Sequence, residues 1–93
     1  SDYEAALRDY DEAIQINSGY VGAYNNRGTV KQELHDFEGA LLDFNLAISI
    51  KPNHANAFVN RGRMKGYLLD VKGEIADYQK TIEINPSTIN LLK

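Results

Sequence analysis

The chain has 93 residues, of which 43% are apolar and 25% charged, with a net charge of −3 and no cysteine. That length holds one modest core and leaves little for a second domain. The acidic balance argues against a broad nucleic-acid or anionic-membrane surface, and the missing thiols exclude disulfides, thiolate metal sites and thiol chemistry. No apolar run reaches the roughly 20 residues that span a bilayer, and no signal peptide opens the sequence. The opening "SDYEAALRDY" reads as the inside of a helical pattern, so the chain is expected to be a cut piece of a longer one.

The first predicted helix covers about 2–16, with Tyr3, Leu7, Tyr10 and Ile14 on one stripe. Asn17-Ser18-Gly19 ends it. It is expected to lack a partner helix of its own unit in this chain, so that its stripe offers more apolar surface than the other helices can cover. Each such side chain contributes roughly 1.5–3 kcal/mol when fully buried, and an uncovered stripe invites a neighbour. A second helix is expected at 21–34, carrying Val21, Tyr24, Gly28, Val30 and Leu34. A third at 37–50 carries Phe37, Ala40, Leu41, Phe44, Ala47 and Ile48 at i, i+3, i+4, i+7 spacing. Asp36 is placed to cap it, and Pro52 to stop it, because the residue before proline leaves the α region. Helices at 55–68 and 71–84 follow, with Asp70 and Pro86 in the same two roles. A short sixth segment is expected after Pro86.

The chain says the same thing more than once. "AYNNRG" at 23–28 returns as "AFVNRG" at 57–62, an offset of 34. Aligned at that offset, residues 21–54 and 55–88 share 12 identities in 34, and 1–20 and 35–54 share 8 in 20. Accident does not produce three copies of one half-unit and two of the other.

These residues carry a resemblance. The period of 34, the aromatic and glycine of the first helix (Tyr24 and Gly28, then Phe58 and Gly62) and the Ala-x3-aromatic of the second (Ala40 and Phe44) resemble the tetratricopeptide repeat family. Ala47, Tyr78, Pro52 and Pro86 continue the pattern, and Ala6, Tyr10 and Ala13 show it in a truncated first copy. The resemblance covers essentially the whole chain. It implies an all-α, right-handed α-solenoid of stacked antiparallel helix pairs, about two and a half units, in which each unit completes its core against the next. Residues 1–93 are then one domain: 1–20 the second helix of a truncated repeat, 21–54 and 55–88 two repeats, and 89–93 a tail or the start of a further helix.

Arg27 and Arg61 stand where the family often has leucine, and Asp9, Asp43 and Asp77 also recur at 34. We expect Arg–Asp pairing between adjacent helices, with the arginine stems on apolar surface and the guanidinium reaching outward; an exposed pair contributes about 0–1 kcal/mol. Lys31 and Lys65 replace the family's tyrosine. The third unit departs further. Glu74 stands where Ala6 and Ala40 stand, and Thr81 where Ala13 and Ala47 stand. A carboxylate suits a tight helix contact poorly, and Gly66 and Gly73 weaken their helices by roughly 1 kcal/mol each against alanine. A looser third unit is the expectation.

Reactive chemistry finds no footing. His35 and His54 fall at helix ends without ligand partners, the glycines are spaced by the repeat rather than gathered in a phosphate loop, and acidic groups such as Asp9, Asp11 and Glu12 lie on solvated faces. Arg61, Arg63 and Lys65 are the most basic stretch, but only the outer two share a helix face. No catalytic residue, cofactor or metal site is expected, and no nucleic-acid or membrane partner.

The resemblance also implies a binding surface, since the first helices of tetratricopeptide units line a concave face that receives a peptide or a partner helix. At those positions stand Asn25, Asn26, Thr29 and Glu33, then Asn56, Asn60, Arg63 and Tyr67, with Gly22, Gln32, Val59 and Gly66 between them. Amides can donate and accept toward an extended backbone, Arg63 can hold a carboxylate, and Tyr67 offers a flat platform. The family's best-known specific mode grips a C-terminal carboxylate with lysines and asparagines. Its lysine position holds Asn25 and Val59 here, so that clamp is incomplete and no chaperone-tail binding is assigned. The reading is a non-enzymatic protein–protein interaction module with a protein or peptide partner and a cytoplasmic location. The alternative is a self-associating element using the uncovered terminal helices.

Overall fold

A computed structural model describes residues 2–87. It contains five α-helices and, among the described residues, no strand: α1 Tyr3–Ile16, α2 Val21–Glu33, α3 Phe37–Ile50, α4 Ala55–Tyr67 and α5 Val71–Ile84. Each lies within a residue of its predicted bounds. The expected tail or sixth helix at 89–93 lies outside the described residues.

Two kinds of helix alternate because two kinds of sequence start them. α1, α3 and α5 begin on an aspartate whose carboxylate accepts the N–H three residues on: Asp2 from Ala5, Asp36 from Gly39 and Asp70 from Gly73, at 2.9–3.0 Å. α2 and α4 begin at Tyr20 and His54 with no side-chain cap. Between α2 and α3 the chain reverses in a Schellman turn, in which Asp36 N–H reaches the Lys31 carbonyl and His35 N–H reaches Gln32. The turn between α4 and α5 is the same, from Asp70 to Lys65 and from Leu69 to Gly66. The left-handed residue of each turn is not glycine: His35 has φ 62° and Leu69 φ 66°.

Each helix packs on its sequence neighbour, and α2 also touches α4 across the intervening helix. The result is a stack, with about two and a half helix pairs. One cluster joins Tyr24 of α2, Ala47 of α3 and Ala57 of α4, with Ile14, Val21 and Ile48 against it. A second joins Ala40 and Phe44 to Met64, with Phe37 and Leu41. Glycine is required at 28, where an added Cβ would sit 2.7 Å from the buried Phe44 ring.

Three expectations change. First, the Arg27–Asp43 and Arg61–Asp77 pairs are not exposed: both carboxylates are buried, and each takes two cations. Second, Asp9 pairs with neither; it is exposed, and Arg27 reaches Asp11 instead. No helix among the described residues packs over Asp9 as α2 packs over Asp43. Third, Glu74 does not splay the third unit. Its carboxylate fills the space left by Gly66, where an added Cβ would lie 2.5 Å from Oε2. One repeat sets Gln32 against Ala40 and the next sets Gly66 against Glu74, so bulk has changed sides. Thr81 is fully buried, its hydroxyl donating to the Asp77 carbonyl at 2.9 Å. On α1 the stripe of Tyr3, Leu7, Tyr10 and Ile14 is half-buried, and no residue of that helix is fully buried.

Candidate functional site: the α2/α4 face

The helical repeat sorts the candidate residues into stripes. Asn26, Thr29 and Glu33 are spaced by three and four along α2; Asn56, Asn60, Arg63 and Tyr67 are spaced by four, three and four along α4. Residues so spaced share a face, and the contact between α2 and α4 brings the two stripes side by side.

The join is polar. Asn60 Nδ2 donates to Asn25 Oδ1 at 3.3 Å, and Arg63 Nη1 donates to Asn60 Oδ1 at 3.5 Å. This chain of Asn25, Asn60 and Arg63 is half-buried, whereas Asn26, Thr29 and Asn56 stand exposed around it. The Thr29 hydroxyl donates to the Asn25 carbonyl at 3.0 Å, so that donor is turned into its own helix. Among the described residues Asn26 and Asn56 make no side-chain hydrogen bond, which leaves both amides open to a ligand backbone. Val59 is buried and does not line the face.

Glu33 and Tyr67 meet elsewhere. With Gln32, His35 and Phe37 they close a recess of about 330 Å³ at the end of the face. The Phe37 and Tyr67 rings stack with centroids 4.6 Å apart and planes 21° from parallel, and His35 stacks on Phe37 at 5.6 Å. His35 and Phe37 were not expected at a site: one reads as a loop histidine, the other as a core stripe residue. The available signal is two rings flanking the capping Asp36, one of them in a turn.

Behind the face lies a buried electrostatic layer. Arg27 binds Asp43 at two points, Nε to Oδ2 at 2.9 Å and Nη2 to Oδ1 at 2.7 Å, while Lys31 Nζ reaches Oδ2 at 3.1 Å. Arg61, Lys65 and Asp77 repeat this at 2.9, 2.7 and 3.2 Å. The free corner of each guanidinium goes to the next helix back, Arg27 to Asp11 and Arg61 to Asn45, positions that are themselves 34 apart. Each arginine also lies over an aromatic ring, Tyr24 or Phe58. The Asp43 hydrogen bonds hold the Arg27 guanidinium above its usual range, so it is a fixed cation. Arg27 and Lys31 are balanced by Asp43 and Asp11, whereas Arg61 and Lys65 share the single carboxylate of Asp77.

Among the described residues no group of His, Asp or Glu could hold a metal ion, and no helix is long and apolar enough to cross a membrane.

The tetratricopeptide repeat profile matches residues 21–54, and residues 55–88 repeat that segment at the same period. Residues 21–54 are a tetratricopeptide repeat. Solved tetratricopeptide structures superpose on it. The Arabidopsis OM64 TPR domain is 28% identical with a TM-score of 0.86, over 90% of this chain and 69% of that one. The first TPR of Spaghetti (RPAP3), bound to an HSP90 peptide SRMEEVD, is 24% identical with a TM-score of 0.87, over 90% and 67%. MamA is 22% identical with a TM-score of 0.89, over 97% of this chain and 53% of MamA. The chain thus spans about half of MamA and about two-thirds of the other two. No curated protein sequence matches it. In tetratricopeptide terms, α2 and α4 are the first helices of two units, and α1, α3 and α5 are second helices.

Proposed function

We propose that this chain is a non-enzymatic protein–protein interaction module that takes an extended peptide or a partner helix along the α2/α4 face. The observation that carries the reading is the Asn25–Asn60–Arg63 hydrogen-bonded chain, which ties the two helices together and fixes polar groups in the centre of that face. Preorganised donors lose little freedom when a ligand arrives. The exposed amides of Asn26 and Asn56 flank it, and Tyr67 supplies a flat contact at one end. The peptide-bound Spaghetti TPR supports the reading by fold. Residues 1–93 act in it as one domain.

The test is affinity capture with the wild-type chain and with an Asn26→Ala/Asn60→Ala/Arg63→Ala variant shown by circular dichroism to be folded. A partner bound by the first and weakened at least about tenfold in the second places binding on this face. Equal capture by both overturns the reading.

A second reading rests on the stack's ends. Val71 and Ile75 of α5 are each about half exposed, and α1 is covered on one side only. Association of copies through these helices would appear as a molar mass rising with concentration.

A further inference from the structure

The recess at the end of the α2/α4 face has a chemistry of its own. Its aromatic lining is Tyr67, which is 55% exposed, with Phe37 stacked on Tyr67 and His35 stacked on Phe37. Its acidic group is Glu33, exposed and making no ion pair among the described residues. Gln32 completes the lining, and no lysine or arginine contributes to it. The nearest cations along both helices, Lys31 and Lys65, are held by Asp43 and Asp77. The recess also lies where α2 and α4 end, at Glu33 and Tyr67. Helix C-termini carry partial negative charge. Aromatic faces, a free carboxylate and two negative helix poles all favour one kind of occupant, a cation.

From this convergence we infer that the recess is a subsite for an arginine side chain of a bound peptide. The exposed Tyr67 ring, backed by Phe37 in a nearly parallel stack, offers a face that a planar guanidinium can extend, and a carboxylate accepts from its fork at two points; an ammonium can do neither. A volume of about 330 Å³ admits the guanidinium and its stem. The inference rests on the reading that the α2/α4 face receives a peptide, and it adds the residue such a peptide carries at this end.

The probe is N-acetyl-arginine N-methylamide, titrated into the labelled chain at constant ionic strength and followed by NMR. The neutral citrulline analogue, of the same shape, and the lysine analogue serve as comparisons. Saturable shifts confined to Gln32, Phe37 and Tyr67 are expected, at least about tenfold weaker with citrulline and weaker with lysine. Glu33→Gln is expected to reduce affinity about threefold or more, and Tyr67→Ala, an exposed change, to abolish the shifts. No saturable shift, an equal response to citrulline or lysine, or shifts unaltered in both variants would overturn the inference. The probe is a single residue, so its outcome is independent of the capture experiment. Arginine shifts alongside capture unaffected by the triple variant would sink the peptide-face reading alone. Capture lost in that variant with no arginine shift would sink the subsite alone.

Discussion

Arg27 and Asp43 meet in a two-point contact, at 2.9 and 2.7 Å, across the α2–α3 interface, with the carboxylate 1% exposed and Lys31 closing its other side. Removal of either partner of a buried pair leaves an uncompensated charge, a loss of about 3–5 kcal/mol when burial is complete. The two partners are not equivalent here. Arg27→Ala leaves Asp43 paired with Lys31, whereas Asp43→Ala leaves Lys31 without a carboxylate and Arg27 with only the exposed Asp11. Asp43→Ala is expected to cost about 2–4 kcal/mol and Arg27→Ala less, with the double variant less than additive. Asp9→Ala, at the same repeat position but exposed, should stay within about 0.5 kcal/mol. Urea unfolding of the four variants and the wild type decides it; strict additivity, or an Asp9 effect equal to that of Asp43, would remove the account.

Two glycines separate space that is needed from space that can be yielded. At Gly28 a Cβ would meet the Phe44 ring at 2.7 Å, and that ring is fully buried. At Gly66 a Cβ would meet the tip of Glu74, a flexible and half-exposed side chain. Gly28→Ala should therefore destabilise by about 1–3 kcal/mol through overpacking, despite its better helix propensity. Gly66→Ala should gain up to about 1 kcal/mol as Glu74 swings away. Shifts of the thermal midpoint in the same direction for both would contradict this.

Leu69 holds a left-handed conformation at φ 66° while 84% exposed. Its side chain gains little from burial, and the conformation costs an L-residue roughly 1–2 kcal/mol. Leu69→Gly removes that strain and returns part of the gain through a more disordered unfolded chain. A net stabilisation of about 0.5–1 kcal/mol is expected. His35→Gly, in the equivalent turn, should gain less because it also loses the stack on Phe37. Denaturant midpoints of the two variants compare them directly.

His54 titrates below its ordinary value, first because it is partly buried and second because Lys51 is near. The unfolded chain therefore takes up this proton at a higher pH than the folded chain does. The His54 contribution to stability is complete above about pH 7.5 and is lost as pH falls below about 6.5. Asparagine at this helix start keeps no titration and can supply the side-chain cap that His54 does not make. The thermal midpoint of His54→Asn relative to wild type should rise steadily from pH 8 to pH 5.5. Parallel curves for the two chains would show that His54 does not set the slope.

The repeat, the helix bounds and the capping aspartates are legible in the amino-acid sequence, because each depends on neighbours within a few positions along the chain or on a period that can be counted. Asp36, Pro52 and Gly28 announce their roles through spacing alone. The stripes of the α2/α4 face were legible for the same reason, since helical spacing places Asn60, Arg63 and Tyr67 together. What lies against what emerges with the packing of the helices. Asp9 and Asp43 are the same letter at the same repeat position, and one is exposed while the other is buried between two cations, because only Asp43 has a first helix packed in front of it. The exchange of bulk between Gly66 and Glu74, and the recess that joins His35 and Phe37 to Tyr67 of the next unit, arise between helices. Burial and cross-helix distance are properties of packed surfaces, and a one-dimensional period carries neither.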